Sequence, residues 1–152
     1  MTERHDEHAS ITVRTATMAD EAEIRRVLLE LHPDGVDAVT LPHVRQEART
    51  FVATHSDRVV GVAVATLVDY GHEAYGSVEE LVVEAQGRGV GTGGSLLDEC
   101  RRWLEASGAE VVFVSAADDQ AAHFYRSSGF VRCTGPWLYW VPNASRRKGE
   151  PR

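Results

Sequence analysis

The chain has 152 residues, 43% of them hydrophobic and 26% charged, and it carries a formal net charge of −7. This length predicts one domain with its own core, and the acidic balance argues against nucleic acid, which binds to basic patches. No run approaches the roughly 18 apolar residues of a membrane helix, and the polar start lacks the apolar region of a secretory signal, so we expect a cytoplasmic protein that does not contact membranes.

The N-terminal part of the chain predicts a strand followed by a helix. Residues 1–10 are interpreted as a flexible polar tail, and the alternating residues 11–15 are typical of a strand. Thr17 followed by Asp20 is typical of a helix N-terminus. The helix is expected to end before the proline at position 33, and its apolar residues at helical spacing are Ile24, Val27, Leu28 and Leu31.

A β-hairpin and a third strand follow. Residues 34–43 are expected to form a loop or a short second helix. The runs 50–54 and 59–68 flank a polar turn at 56–57, and this pattern predicts two paired antiparallel strands. After a turn-rich stretch, residues 77–83 are the next predicted strand.

The second half of the chain predicts a β-α-β crossover and a short capped helix. A helix with an apolar face follows a glycine-rich segment and ends at Gly108. Asp118 is expected to cap a short helix that ends at Gly129. The predicted strands of this half are 111–115, 130–134 and 137–141. The whole order is typical of an α/β fold with antiparallel strands first.

The glycine-rich segment 86–94 lies directly between a predicted strand and a predicted helix. Free N–H groups and the positive end of the helix dipole favour anions there, and glycines let the backbone close around a phosphate. Arg88 can add a charge-assisted contact. The alternative interpretation of this segment is a flexible loop without a ligand.

A dinucleotide site is the competing phosphate-binding interpretation of this segment. Gly89, Gly91 and Gly94 match the spacing of the dinucleotide fingerprint, and Asp118 follows the next strand as a candidate ribose-binding acid. The motif begins in mid-chain, and the residues after Asp118 are too few to complete a doubly wound sheet.

Two separate motifs resemble the GNAT superfamily of acetyltransferases. Gln86-x-x-Gly89-x-Gly91 is similar to the Q/R-x-x-G-x-G/A motif of that family and follows a Glu-Glu-Leu-Val-Val strand. The segment 121–130, Ala-Ala-His-Phe-Tyr-Arg-Ser-Ser-Gly-Phe, is similar to the family's A-x-x-F-Y-x-x-x-G-F. The resemblance covers residues 11–141 and implies a GNAT fold, with a mixed sheet of about six to seven strands between helices and tails at 1–10 and 142–152.

The resemblance implies an enzyme that moves an acetyl group from acetyl-CoA to a primary amine by direct attack. The pantetheine arm would bond to the backbone of Leu81, Val82 and Val83. Tyr125 is the candidate acid for the departing thiolate. The CoA pyrophosphate would bind to the amides of Gly87, Arg88, Gly89, Val90, Gly91, Thr92 and Gly93.

Glu79 and Glu80 are the candidate bases for the amine. Strand alternation predicts that they lie on opposite faces, so that only one of them faces the acceptor. A glutamate acting through water is the first choice, with Glu80 ahead of Glu79, and both could instead be solvated carboxylates. His72 is a weaker candidate. If Asp69 and Glu73 converge with these glutamates, they favour a cationic acceptor.

The partner expected from the sequence is a small amine-bearing molecule. The alternatives are a protein or peptide acetyltransferase and a non-catalytic module that binds acyl-CoA. No metal site is expected, since the two cysteines and seven histidines lack metal-ligand spacing. Trp137, Tyr139 and Trp140 are candidates for the acceptor site, for a homodimer interface or for plain packing.

Overall fold

A computed structural model of the chain describes residues 11–135, 137–138 and 142. The chain divides after Ser115 into two compact units, and each is described by itself. The predicted tail 1–10 and most of the predicted tail 142–152 lie outside the described residues. Among the described helices, none combines the length and apolar character needed to cross a membrane.

From residue 11 onward, the first unit holds two helices and four strands. A 3-10 turn, Met18–Asp20, leads into the first helix, and a second 3-10 turn, Ala85–Gly87, precedes the second helix. The elements in chain order are α1 (Glu21–Leu28), β1 (Arg45–His55), β2 (Arg58–Asp69), β3 (Tyr75–Val83), α2 (Thr92–Ala106) and β4 (Val111–Val114). The second unit holds α3 (Asp119–Ser127).

The four strands form one mixed sheet in the order β1-β2-β3-β4. β1, β2 and β3 pair antiparallel, whereas β3 and β4 pair parallel across the α2 crossover. The predicted hairpin is confirmed, and its turn residues Ser56 and Asp57 both adopt positive φ, 49° and 62°. Two successive left-handed residues give the turn a twist that matches the strands. Residues 34–43 form a loop with turns and no helix.

Helix α2 packs on one face of the sheet and forms the core with it. Its buried residues Leu97, Cys100 and Leu104 are at most 1% exposed, and Ala63, Ala65 and Leu67 of β2 are fully buried as well. Cys100 is therefore a core residue, and burial raises the pKa of its thiol. The helix ends in a Schellman motif, in which Gly108 takes φ 96° and Ala109 N–H donates to Leu104 O at 3.0 Å.

Two glycines let α2 lie close to the strands. A methyl group built on Gly76 of β3 would lie 2.6 Å from Leu104 Cδ2, and one built on Gly61 of β2 would lie 2.9 Å from Leu96 Cδ1. Real Cβ atoms essentially never approach other atoms so closely. The faces of β2 and β3 that carry Gly61 and Gly76 are therefore the faces that α2 covers.

The predicted first strand at 11–15 is wrong. These residues form no strand, and Ile11 and Val13 are 94% and 90% exposed. Arg14 instead donates two hydrogen bonds to the Asp20 carboxylate, at 2.7 and 2.8 Å. The Arg14 guanidinium and the Thr17 backbone N–H hold the pKa of Asp20 well below its usual range. Local pairing at the helix start thus replaces pairing with the sheet.

The predicted count of six to seven strands is also wrong, since the described sheet has four. Residues 130–134 form no strand, and Cys133 within them is exposed. Trp137 and Leu138 are exposed and lie in no strand, while the rest of the predicted strand 137–141, with Tyr139 and Trp140, lies outside the described residues. A strand needs a non-local partner, so an alternating run alone does not ensure one.

Gly76→Ala should destabilise the protein by about 1–3 kcal/mol, because the added methyl group overpacks a filled core beside Leu104. Denaturant unfolding measures the change. Gly94→Ala is the matched control, since nothing lies within 4 Å of its Cβ position and alanine favours a helix. Equal free energies of unfolding for Gly76→Ala and the wild type would contradict the packing described.

Candidate functional site

A β-bulge interrupts β3 at Glu79. Ala65 of β2 pairs with Val78, but the next residue back along β2, Val64, pairs with Glu80, so Glu79 has no Cα partner on β2. A bulge of this kind adds one residue to a strand and changes the alternation of its side chains. The strand accordingly buries Gly76 and Val78 before the bulge, and keeps Leu81 and Val83 half-buried after it.

The bulge places Glu79 and Glu80 on the same face of the sheet. Both are exposed. Glu80 is the register partner of Val64, and Glu79 Oε1 accepts a hydrogen bond from Thr66 Oγ1 at 2.6 Å. Val64 and Thr66 are two residues apart on one strand and so share a face. The prediction that the two glutamates lie on opposite faces is therefore wrong, because alternation holds only in an unbroken strand.

Thr66 is a site residue that sequence reasoning missed. Its contact with Glu79 depends on the bulge and on the β2–β3 register, neither of which a period-2 template contains. One signal was present: two consecutive charged residues, Glu79 and Glu80, separate the apolar Val78 from Leu81. A spacing of three between core residues in a strand indicates one extra residue.

The outer edge of β3 is open beyond the bulge. β4 pairs with β3 only from Tyr75 to Val78, and among the described residues no strand pairs with Leu81, Val82 or Val83 on the β4 side. Backbone N–H and C=O groups at such an edge can bond an extended ligand as an added strand. This is the segment predicted to hold an extended, amide-bearing arm.

The chain leaves β3 through the 3-10 turn, which uses the first two of the predicted anion-binding amides. Gly87 N–H donates to Glu84 O at 2.9 Å, and Arg88 N–H donates to Ala85 O at 3.4 Å. Gly87 is buried, and a methyl group on it would lie 3.0 Å from Val83 Cγ1. Arg88 Nε donates to Val83 O at 2.9 Å. The backbone N–H groups of Gly87 and Arg88 therefore stabilise the turn and are not directed at an anion.

The remaining glycines form the N-terminal cradle of α2. Gly89 and Gly91 adopt the left-handed region, with φ 77° and 85°. The first bond within the helix runs from Ser95 N–H to Gly91 O at 3.0 Å. The amides of Thr92 and Gly93 in the first turn thus have no helical acceptor. Together with the helix dipole, these N–H groups favour a phosphate.

Gly94 does not play the part that the dinucleotide fingerprint requires. The third glycine of that motif allows close packing of helix and strand, yet nothing lies within 4 Å of the Cβ position of Gly94. The close approach is made by strand glycines instead. Asp118 has another use, because its Oδ1 accepts from Ala121 N–H at 2.7 Å and caps α3. The competing dinucleotide interpretation therefore loses the support of Gly94 and of Asp118.

In the second unit, the glycine after α3 turns the chain back onto Tyr125. Gly129 takes φ 94°, and Phe130 N–H donates to Tyr125 O at 3.1 Å, as in a Schellman motif. The ring of Phe130 then meets Tyr125 edge-on, with the centroids 5.7 Å apart, and Phe124 meets it at 5.1 Å. The sequence F-Y-x-x-x-G-F thus holds the Tyr125 ring between two aromatic neighbours.

The other acidic candidates lie around the turn between β2 and β3, where Asp69 ends β2 and Glu73 takes φ 44°. Asp69 accepts from Arg45 Nη2 at 3.1 Å and from Gly71 N–H at 2.7 Å, so its carboxylate supports the turn after β2. The His72 ring contacts the His32 ring, with the centroids 4.0 Å apart and the ring planes tilted by 50°. Within the described part of the chain, no group of three or more side chains has the arrangement of a metal site.

A family model described as an acetyltransferase (GNAT) domain matches residues 46–132, more than half of the chain. The match begins in β1, includes the bulged strand and the glycine segment, and ends just after α3. A comparison with curated protein sequences gives no match.

Solved structures with the same fold include two acetyltransferases and an integron cassette protein. A putative acetyltransferase from Agrobacterium tumefaciens is 21% identical, with 86% of this chain and 100% of that chain covered and a TM-score of 0.56. An aminoglycoside acetyltransferase from an uncultured soil metagenomic sample, in complex with trehalose, is 20% identical, with 82% and 90% covered and a TM-score of 0.55. The cassette protein, from the mobile metagenome of V. cholerae, is 19% identical, with a TM-score of 0.57. The match covers 65% of this chain and 64% of the cassette protein, just under two thirds of its length.

Gly91→Ala should weaken the binding of CoA. A left-handed conformation costs a residue with Cβ about 1–2 kcal/mol, and a loop that relaxes turns its amides away, so that Kd rises by about 5- to 30-fold. Calorimetric titration with CoA measures the change. Gly94→Ala, which keeps an ordinary helical φ, should bind like the wild type. The same Kd for both variants would contradict the cradle described.

Proposed function

We propose that this chain, which belongs to the GNAT acetyltransferase family, transfers the acetyl group of acetyl-CoA to a primary amine of a small, cationic molecule. The observation that supports the proposal is that the unpaired edge of β3 is followed directly along the chain by the amide cradle at the start of α2. Such an arrangement suits a ligand with an extended amide-bearing arm at one end and a pyrophosphate at the other.

Acetyl-CoA would be held by backbone groups of this segment. The edge of Leu81–Val83 would bond the pantetheine arm in the manner of an added strand. The amides of Gly89–Gly93 would bind the pyrophosphate at the start of α2. Arg88 has its Nε on Val83 O, so only its terminal nitrogens would reach a phosphate.

The acetyl transfer is a direct attack within a ternary complex. The amine nitrogen forms a bond to the thioester carbonyl carbon while the carbon–sulfur bond breaks. A backbone N–H near Val82 or Val83 would stabilise the charge on the carbonyl oxygen. Glu80 would accept the amine proton through water, and Tyr125 would give its phenolic proton to the thiolate. Return of a proton from Glu80 to Tyr125 by way of solvent then leaves an acetylated amine, free CoA and the enzyme in its starting state.

The two carboxylates on one face of β3 support a cationic acceptor. Glu79 and Glu80 are both exposed beside the open edge, and adjacent negative charges raise the local concentration of a positively charged substrate. One of the proteins with the same fold is an aminoglycoside acetyltransferase, whose acceptor class is of this kind. A protein or peptide acceptor and a non-catalytic acyl-CoA module are the alternatives.

Thiol release from acetyl-CoA, measured with a panel of aminoglycosides, polyamines, amino acids and peptides, tests the proposal. We expect turnover with at least one small cationic amine. Acetyl-CoA should also raise the melting temperature by mass action, whereas NAD should leave it unchanged. Turnover with peptides alone would favour the protein acetyltransferase. Stabilisation by acetyl-CoA without turnover would favour the binding module, and no stabilisation would overturn the proposal.

Tyr125→Phe and Glu80→Gln separate the two proton transfers. Each variant should lower kcat by about 10²–10⁴-fold, the usual contribution of a general acid or base. Neither should change the affinity for acetyl-CoA, because the backbone of the proposed cradle is untouched. Steady-state kinetics together with a titration of CoA provides the test. An unchanged kcat for either variant would remove that residue from the reaction.

A further inference from the structure

The two glutamates of β3 differ in how their carboxylates are held. Thr66 Oγ1 donates to Glu79 Oε1 at 2.6 Å. Glu80 lies opposite Val64, whose side chain has no hydrogen-bonding group. Among the described residues, Glu80 has no hydrogen bond or ion pair through its side chain. The Glu79 carboxylate is therefore held by a hydrogen bond, whereas the Glu80 carboxylate can rotate.

Thr66 is well suited to fix a carboxylate. It lies inside β2, and its register partners are Ala48 on β1 and Ser77 on β3, so the strand on each side holds its backbone. A β-branched side chain has few χ1 rotamers, which keeps the hydroxyl in a constant direction. Glu79 is the extra residue of the bulge and lacks a partner across the ladder. The hydrogen bond from Thr66 therefore connects the Glu79 side chain to β2.

We propose that Thr66 is a positioning residue that divides the work between the two glutamates. It holds Glu79 as a fixed negative contact for a second cationic group of the acceptor, and it leaves Glu80 to accept the proton of the attacking amine. The inference rests on the proposed acetyltransferase function and specifies its acceptor: an amine that carries a further positive charge, such as a diamine.

The geometry explains why this division needs a positioning residue. Glu79 and Glu80 are adjacent in sequence and share one face of the sheet. Two free carboxylates so close would compete for the same ammonium group. The bond to Thr66 directs Glu79 towards β2, because the donor lies on that strand. The charge of Glu79 then has a constant place relative to the acceptor face.

The test is a double-mutant cycle on Thr66 and Glu79, with 1,5-diaminopentane and pentylamine as matched acceptors. Thr66→Val removes the donor with little change in shape, and Thr66→Ser keeps it. Thr66→Val should raise KM for the diamine by about 3- to 10-fold, the scale of one hydrogen bond, with kcat and the KM for acetyl-CoA unchanged. Thr66→Ser should behave like the wild type.

The remaining arms of the cycle distinguish positioning from a general structural role. Glu79→Gln should raise KM for the diamine at least as much as Thr66→Val, and the double variant should be no worse than Glu79→Gln alone, because Thr66 acts through Glu79. The KM for pentylamine, which carries a single positive charge, should rise clearly less than the KM for the diamine in each variant. Calorimetric binding of the diamine without acetyl-CoA should follow the same order, as a readout that needs no turnover.

Three results would overturn the inference while the proposed function stands: additive effects in the double variant, equal losses for both amines, or an unchanged KM for the diamine in Thr66→Val. A fall in acetyl-CoA affinity or in melting temperature that accounts for the loss would show that the bond only supports the bulge, and would equally overturn it. Failure of the proposed function would give a different result: the wild-type protein would release no thiol from acetyl-CoA with any amine.

Discussion

The extra residue in β3 is the constraint on which the rest of the site depends. Without the bulge at Glu79, alternation would continue from Gly76 and Val78 to Glu80 and Val82, and a carboxylate would face the α2 side of the sheet. An unpaired buried charge is too costly for that arrangement. The bulge shifts the phase by one, so that Leu81 and Val83 turn towards the core and both glutamates turn to the opposite face. It lies at the point where β4 stops pairing, just past Val78. The residue that corrects the packing pattern therefore also marks the start of the open edge.

Helix α2 brings the anion cradle to the end of this edge through contacts made far from the cradle itself. The helix lies close to the sheet where Gly61 and Gly76 offer no Cβ, and Leu96 and Leu104 fill the space. These contacts fix the axis of α2 and with it the direction of the amides of its first turn. The 3-10 turn then joins the two parts, since Arg88 Nε bonds Val83 O at the end of β3. Core packing and the direction of the proposed anion-binding amides are thus linked through helix α2.

Local signals in the sequence predicted the elements that depend on local interactions. The hairpin, the α2 crossover, the Asp118 cap and the glycine ends of α2 and α3 are each set by a few neighbouring residues, and the structure confirms them. The prediction of a strand at 11–15 was wrong, and Arg14 in this segment instead forms hydrogen bonds with the nearby Asp20. The prediction of the sheet face on which Glu79 lies was wrong for a related reason. Register is a property of two strands, and only the pair β2–β3 shows that one residue is left over.

The glycines of the segment 87–94 show why a spacing pattern alone did not identify the ligand. Gly87 is favoured by space, because a Cβ there would lie 3.0 Å from Val83 and 3.3 Å from Val60. Gly89 and Gly91 are required by conformation, because their φ values lie in the left-handed region. Gly94 meets neither requirement, although it completes the dinucleotide spacing in the sequence. Glycines at regular spacing in the sequence therefore differ in what they do: one is favoured by packing, two by backbone conformation, and one by neither. The proposal of CoA rather than a dinucleotide rests not on the number of glycines but on the strand before them, which ends in an edge without a partner strand among the described residues.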